Sequence, residues 1–267
     1  MRPQAGFVPH VTLLGQGPRC ALALHCTLAF GGAWSGVAKH LRQDLTMVAP
    51  DMPSHGGSAD WDEVSDFSDT VYAAAIATLD DTPMDVVGHS FGAMTALRLA
   101  IASPELVRSL TLIEPVFFAV AARDAPETMT DHDARAAPFF DAISAGDFPQ
   151  AARSFNRMWS DGPIWDSLSE RSRAAMIRAI HVVPDTFGFL YEDAMGMLAS
   201  GVLDTVTMPT LLIRGIKTLP AVAAVNDGLM ARLPNAFQAV IENAGHMAPI
   251  SHPAPVSDAI KDLLMRS

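Results

Sequence analysis

Asp85-Val86-Val87-Gly88-His89-Ser90-Phe91-Gly92-Ala93-Met94 is the stretch that decides how this chain folds. The apolar run over 84–87 reads as a buried strand. Met94, Leu97, Ala100 and Ile101 then recur with helical spacing. Between strand and helix lies Gly-x-Ser-x-Gly, with Ser90 at its centre. A strand that must become a helix within a few residues forces its central residue into a strained backbone conformation. Glycines on either side remove Cβ atoms that would clash at the bend. Ser90 is therefore expected at the end of a sheet, its hydroxyl outward, with the free N–H groups of a helix start beneath it. The pattern itself is short and built of common residues. The strand before it and the helix after it give it force.

Upstream, the apolar runs 11–14 and 21–24 are split by Gly15-Gln16-Gly17-Pro18, which predicts a hairpin-like start. The second run ends in the loop His25-Cys26-Thr27-Leu28-Ala29-Phe30-Gly31-Gly32, before the helical spacing of Trp34, Val37, Ala38 and Leu41. A strand over 46–50 leads into the turn-rich segment Asp51-Met52-Pro53-Ser54-His55-Gly56-Gly57-Ser58. Phe67, Val71, Ala74, Ala75 and Leu79 predict a further helix. Downstream, Ser103-Pro104 ends the helix after Ser90, and 109–115 reads as a strand. Near-continuous apolar strands alternating with helices belong to a parallel sheet covered on both faces.

The pattern changes after Pro115. No strand stands out over 117–201, and Pro126, Pro138, Pro149, Pro163 and Pro184 punctuate helix-like pieces. Three of these carry Ala151, Phe155, Met158 and Trp159; Leu168, Ala175, Met176 and Ile180; and Phe187, Leu190, Tyr191, Met195 and Leu198. Alternation resumes with a strand over 210–215, a helix over 222–233, a strand over 236–241 and a final helix bearing Val256, Ile260, Leu263 and Leu264. The expected fold class is α/β: a mostly parallel central sheet with helices on both faces, plus an all-helical insertion. Residues 1–116 and 202–267 form the expected core, and 117–201 the expected cap.

The bulk properties narrow the function. With 267 residues, of which 49% are hydrophobic, a sizeable core can be buried. A net charge of −11 argues against nucleic acid and against anionic membranes as partners. The two cysteines, Cys20 and Cys26, lie on or beside one strand and make no metal-type spacing with histidines. They read as small buried hydrophobes. Met1-Arg2-Pro3-Gln4-Ala5-Gly6 does not resemble a secretory leader, and no apolar run is long enough to span a bilayer. The expectation is a cytoplasmic protein with a small-molecule substrate and no cofactor or metal. A homodimer is the one macromolecular partnership left open.

A serine hydroxyl is a poor nucleophile near neutral pH. It needs an adjacent base, and the base needs an orienting acid. Among the nine histidines, His246 follows the last predicted strand in Asn243-Ala244-Gly245-His246-Met247-Ala248-Pro249. In a parallel sheet that loop opens on the same edge as Ser90. His10 and His40 lack such a loop, and His132, His181 and His252 fall in or near helices, where a solvated or capping role is expected. His89, inside the bend, is expected to point away from the substrate.

Taken together, Gly88-His89-Ser90-Phe91-Gly92, the His25 loop, the Asp51-Met52-Pro53-Ser54-His55-Gly56 loop and Gly245-His246 resemble the α/β-hydrolase superfamily over nearly the whole chain. The resemblance implies a nucleophile elbow at Ser90, a base at His246 and a helical cap over 117–201. It also exposes a departure. The family often carries its acid in the loop after the strand written here 211–215. That loop reads Gly215-Ile216-Lys217-Thr218-Leu219-Pro220 and has no carboxylate; Thr218 stands about where the acid would fall. Glu114, at the end of the strand after the elbow helix, is the leading alternative, as in some members of the superfamily. Asp227 and an acid-free Ser–His dyad are the others.

An oxyanion hole needs two convergent N–H groups. Phe91 follows the nucleophile and supplies one. The resemblance implies Thr27 for the second, with Leu28 as the fallback, although Cys26 replaces the usual glycine. Leu28, Trp34, Phe117, Phe140, Trp159 and Phe187 are expected to line the substrate pocket. The expected activity is a serine hydrolase acting on a small, largely apolar carboxylic ester through an acyl-enzyme. The same residues would serve a carbon–carbon bond (β-diketone) or lactone hydrolase, or a ligand-binding relative without turnover.

Overall fold

The computed structural model describes residues 6–79, 82–160 and 164–267. Seven strands form one sheet: β1 (Val11–Gly15), β2 (Arg19–Leu24), β3 (Leu45–Pro50), β4 (Met84–His89), β5 (Val107–Ile113), β6 (Thr210–Gly215) and β7 (Ala236–Ile241). Their order is β1-β3-β2-β4-β5-β6-β7. Only β1 runs antiparallel, against β3; every other pairing is parallel.

The hairpin-like start is corrected. β1 and β2 do not pair with each other; both flank β3. The reason lies in their composition. Ala21, Leu22, Ala23 and Leu24 are apolar on both faces and wholly buried, which requires a neighbour on each side. β1 alternates exposed and half-buried residues, as an edge strand can. The Gly15–Pro18 turn is tied instead to the start of β3 and the segment before it, through Gly17 N–H to Leu45 O and Gln16 N–H to Arg42 O.

The first helices are α1 (Ser35–His40), α2 (Phe67–Ala77) and α3 (Phe91–Ala102). Between β5 and β6 come α4 (Phe118–Asp124), α5 (Glu127–Ser144), α6 (Phe148–Trp159), α7 (Glu170–Ala179) and α8 (Phe187–Tyr191). The chain closes with α9 (Pro220–Met230), α10 (Ala248–Ser251) and α11 (Pro253–Leu264).

Strand side chains alternate between two cores, as the two-residue period demands. Leu22, Leu24, Val86, Leu110 and Leu212 face α2, α3 and α9. Ala21, Ala23, Val87, Ile113 and Ile213 face α1 and α11. The loops at the carboxyl ends of the strands therefore leave a scaffold packed on both sides.

Two features of the helical region differ from the sequence expectation. Pro138 does not break α5, although a proline removes one backbone bond and was expected to punctuate. Ala136, Phe139 and Ala142 keep their helical spacing across it and are buried, so packing carries the helix through. The piece expected over 187–198 is helical only to Tyr191. The Asp193 carboxylate accepts from the N–H groups of Met197 and Leu198 and turns the chain into a loop. The proline at 163 lies outside the described residues.

Candidate active site

Ser90 sits between β4 and α3 with φ 55° and ψ −118°, a backbone conformation rare outside glycine. Its N–H is held by Ile113 O at 2.9 Å. The glycines have steric reasons. A Cβ on Gly88 would strike the backbone of Gly92 and Ala93, and one on Gly92 would strike the carbonyls of Leu24 and His25. Nothing but hydrogen fits at either place, so the bend requires the pattern seen in the sequence.

The Ser90 Oγ lies 3.0 Å from His246 Nε2, and His246 Nδ1 lies 3.1 Å from Glu114 Oε2. Three side chains from the ends of β4, β5 and β7 thus meet at one rim of the sheet. Ser90 and His246 are each 7% exposed, and Glu114 is fully buried. Glu114 also has a left-handed backbone, with φ 51°. A buried carboxylate is costly unless hydrogen-bonded. Here Oε1 accepts the Gly215 N–H at 2.6 Å, and Oε2 accepts both the Thr218 hydroxyl and the imidazole N–H. Thr218, about where the resemblance places an acid, hydrogen-bonds the carboxylate of Glu114 from the end of the neighbouring strand. Asp227 does not approach this cluster. It is exposed on α9, and Gln238 Nε2 lies 3.4 Å from its Oδ1.

Three other histidines, His89, His25 and His55, hold the site's frame. His89 donates from Nε2 to the carbonyl of His246 at 2.8 Å. It is buried against the His246 ring, and that burial pushes its pKa down to about 3. His25 Nδ1 donates to Cys26 O at 2.8 Å, and its Nε2 accepts the Met52 N–H. His55 Nδ1 donates to Pro53 O, and its Nε2 accepts the Leu28 N–H at 3.0 Å. Burial lowers the pKa of both, His55 to about 3. The Leu28 N–H is therefore committed to His55 and is not free to hold an oxyanion. No hydrogen bond from the Thr27 N–H is found among the described residues. The Phe91 N–H, at the first position of α3, precedes any intrahelical acceptor. Cys26 is buried, and that burial pushes its thiol up to about 12, so it offers no thiolate.

His132 was expected to be solvated or capping. It is instead 2% exposed within the helical region, packed on Phe118 and 2.8 Å from the Tyr191 hydroxyl through Nε2. Burial lowers its pKa to about 4. Only its place on the buried face of α5, together with Ala136 and Phe139, could have signalled this.

These buried neutral histidines set a pH dependence. In the unfolded chain each would take a proton near its ordinary pKa of 6.5. Between pH 6.5 and about 4 the unfolded state then binds more protons than the folded one, so stability falls as pH drops. Each of His55, His89 and His132 contributes a loss of up to about 1.4 kcal/mol per pH unit in that window. Melting temperature, followed from pH 7 to pH 4, is expected to decline steadily below pH 6.5. A flat profile would contradict their neutral burial.

Two cavities adjoin each other, and the narrower one reaches Ser90. A narrow one of about 50 Å³ is bordered by Ser90, Phe91, Val116, Phe140, Phe187 and Tyr191. A wider one of about 220 Å³ is bordered by Leu28, Phe30, Met176, Met247 and Ile250. Thr27, Phe155 and Trp159 border both. The Trp159 ring lies 4.5 Å from that of His246. Of the expected pocket residues, Leu28, Phe140, Trp159 and Phe187 line these cavities. Trp34 and Phe117 do not. Trp34 is buried on the opposite face of the sheet beside Val37 and Leu41. Phe117 turns into the core while its neighbours Val116 and Phe118 face the cavity. A larger groove of about 740 Å³ beside α2 is bordered by Asp60, Asp62, Asp66 and Asp69 and does not touch Ser90.

Among the described residues, no group of three or more His, Cys, Asp or Glu could hold a metal ion. No described helix is long and apolar enough to cross a membrane.

Elbow, imidazole and buried carboxylate on a mostly parallel sheet define a class, and the comparisons agree with it. Residues 21–259 match the alpha/beta hydrolase family, and the chain belongs to it. It is 30% identical to lipase LipV of Mycobacterium tuberculosis, with 96% of this chain and 97% of that one covered. It is 27% identical to the pimeloyl-[acyl-carrier protein] methyl ester esterase of Nitrosomonas europaea, over 91% and 94% of the two chains. A crystal structure of a hydrolase from Pseudomonas aeruginosa superposes with a TM-score of 0.73 at 17% identity, covering 95% of this chain and 93% of the other. At that identity the likeness shows the fold alone.

Proposed function

We propose that this chain is a serine hydrolase that cleaves a small, largely apolar carboxylic ester through an acyl-enzyme. The observation that carries the reading is the unbroken contact from Ser90 Oγ to His246 Nε2, at 3.0 Å, and from His246 Nδ1 to Glu114 Oε2, at 3.1 Å. In this reading His246 takes the Ser90 proton as Oγ attacks the ester carbonyl. The Phe91 and Thr27 N–H groups hold the oxyanion, and Glu114 steadies the imidazolium. His246 then gives its proton to the leaving alcohol, and a water activated by the same imidazole releases the acid. Residues 1–116 and 202–267 form the catalytic body, and 117–201 the cap. Relatives named lipase and methyl ester esterase support ester chemistry. We place the protein in the cytoplasm, acting on a small molecule without a cofactor.

A fluorophosphonate probe tests this directly. The native protein is expected to be labelled stoichiometrically at Ser90, and denatured protein not at all, because the hydroxyl is reactive only beside His246. Native protein that stays unlabelled would count decisively against the proposal.

A further inference from the structure

β7 ends at Ile241, so the sheet itself does not fix the backbone of His246, which belongs to the loop between β7 and α10. Two hydrogen bonds from other segments reach that loop. Lys217 N–H, from the segment after β6, donates to Ala244 O at 2.9 Å. His89 Nε2–H donates to His246 O at 2.8 Å. The second tether comes from the residue that precedes Ser90. Resting on the ester-hydrolase reading, we propose that His89 is a positioning residue, which sets the reach between nucleophile and base by binding the backbone of His246 to the elbow.

Strand alternation explains why this position can do so. Side chains two apart on β4 share a face. Val87 packs in the core that also holds Ala244 and Ala248, on either side of His246 in the chain. His89 is therefore delivered to the same place, where it is 3% exposed and its ring lies 5.2 Å from that of His246. The left-handed backbone at Ser90 then carries the hydroxyl to within 3.0 Å of the imidazole Nε2. Adjacent residues of one segment thus grip the base at two points, Ser90 at the ring and His89 at the carbonyl. From the helical region, Trp159 packs on the same ring at 4.5 Å. The tether also suits the chemistry. Burial keeps His89 neutral, so it places no positive charge beside the imidazolium that forms in the reaction. Loss of the tether is costly, since a misplacement of about 1 Å can slow a reaction about 10²-fold.

Three substitutions separate the hydrogen-bond donor from the packing. His89→Phe keeps a ring but has no donor, and His89→Asn carries an amide one bond too short. His89→Gln can place an amide N–H where Nε2 stands. With a p-nitrophenyl ester, His89→Phe and His89→Asn are each expected to lower kcat by roughly 10²-fold. KM is expected to stay within about twofold, because His89 borders neither of the two cavities at the site. His89→Gln is expected to recover at least about tenfold of the loss. Fluorophosphonate labelling taken to completion counts intact sites, so kcat per labelled site leaves unfolded protein out of the comparison. Native kcat per site in His89→Phe and His89→Asn, or an equal loss in His89→Gln, overturns the proposal. If the native protein is labelled at Ser90 and turns the ester over, that failure is confined to His89. A native protein neither labelled nor active removes the ester-hydrolase reading, and this assignment with it.

Discussion

Ser90→Ala is expected to lower kcat for an accepted ester by roughly 10⁵-fold or more, and His246→Ala by a similar factor. In the proposed mechanism neither group acts alone. Without the imidazole 3.0 Å away, the hydroxyl keeps its proton; without the hydroxyl, the imidazole has nothing to activate. The double variant is therefore expected to be no slower than either single one. A residual rate of about 10³-fold over water should survive in all three, since the Phe91 and Thr27 N–H groups remain. KM should change little, because the cavities stay intact. Single-turnover kinetics with a p-nitrophenyl ester read these quantities. Losses that multiply in the double variant would show that the two side chains do not act as one unit.

Glu114→Gln is expected to cost roughly 10³- to 10⁴-fold in kcat with the fold preserved. The amide is isosteric but lacks the charge that opposes the imidazolium, and it can present an N–H where Nδ1 needs an acceptor. The origin of the proposed acid allows a stronger test. Thr218 already hydrogen-bonds Glu114 from the loop after β6. Adding Thr218→Asp to Glu114→Gln puts a carboxylate back at that place and is expected to recover at least about tenfold of the lost rate. Near-native activity in Glu114→Gln alone would remove Glu114 from the mechanism. Thermal melting of each variant separates lost chemistry from lost folding.

The legible part of this protein was local. Strand over 84–87, glycine, serine, glycine and helical spacing from Met94 were contiguous, and steric exclusion at Gly88 and Gly92 made that bend nearly obligatory. His246 was legible because a parallel sheet opens all such loops on one edge. The pairing of β1 was not legible, since edge position depends on which neighbours a strand finds. Trp34 and Phe117 were misplaced for a related reason. An apolar aromatic reads the same whether it faces a cavity or a core, and only the direction of its Cα–Cβ bond decides.

Residue type and order alone determined the α/β alternation, the bend at Ser90 and the candidate base. These depend on backbone sterics and periodicity, which act within a few residues. The tertiary structure alone decided that Glu114 rather than Asp227 stands beside His246, that Thr218 completes its hydrogen bonds, and that His55 occupies the Leu28 N–H. Those pairings join residues 27 to 132 positions apart. Their partners are chosen by packing and by the need to satisfy buried polar groups, which no short stretch of sequence records.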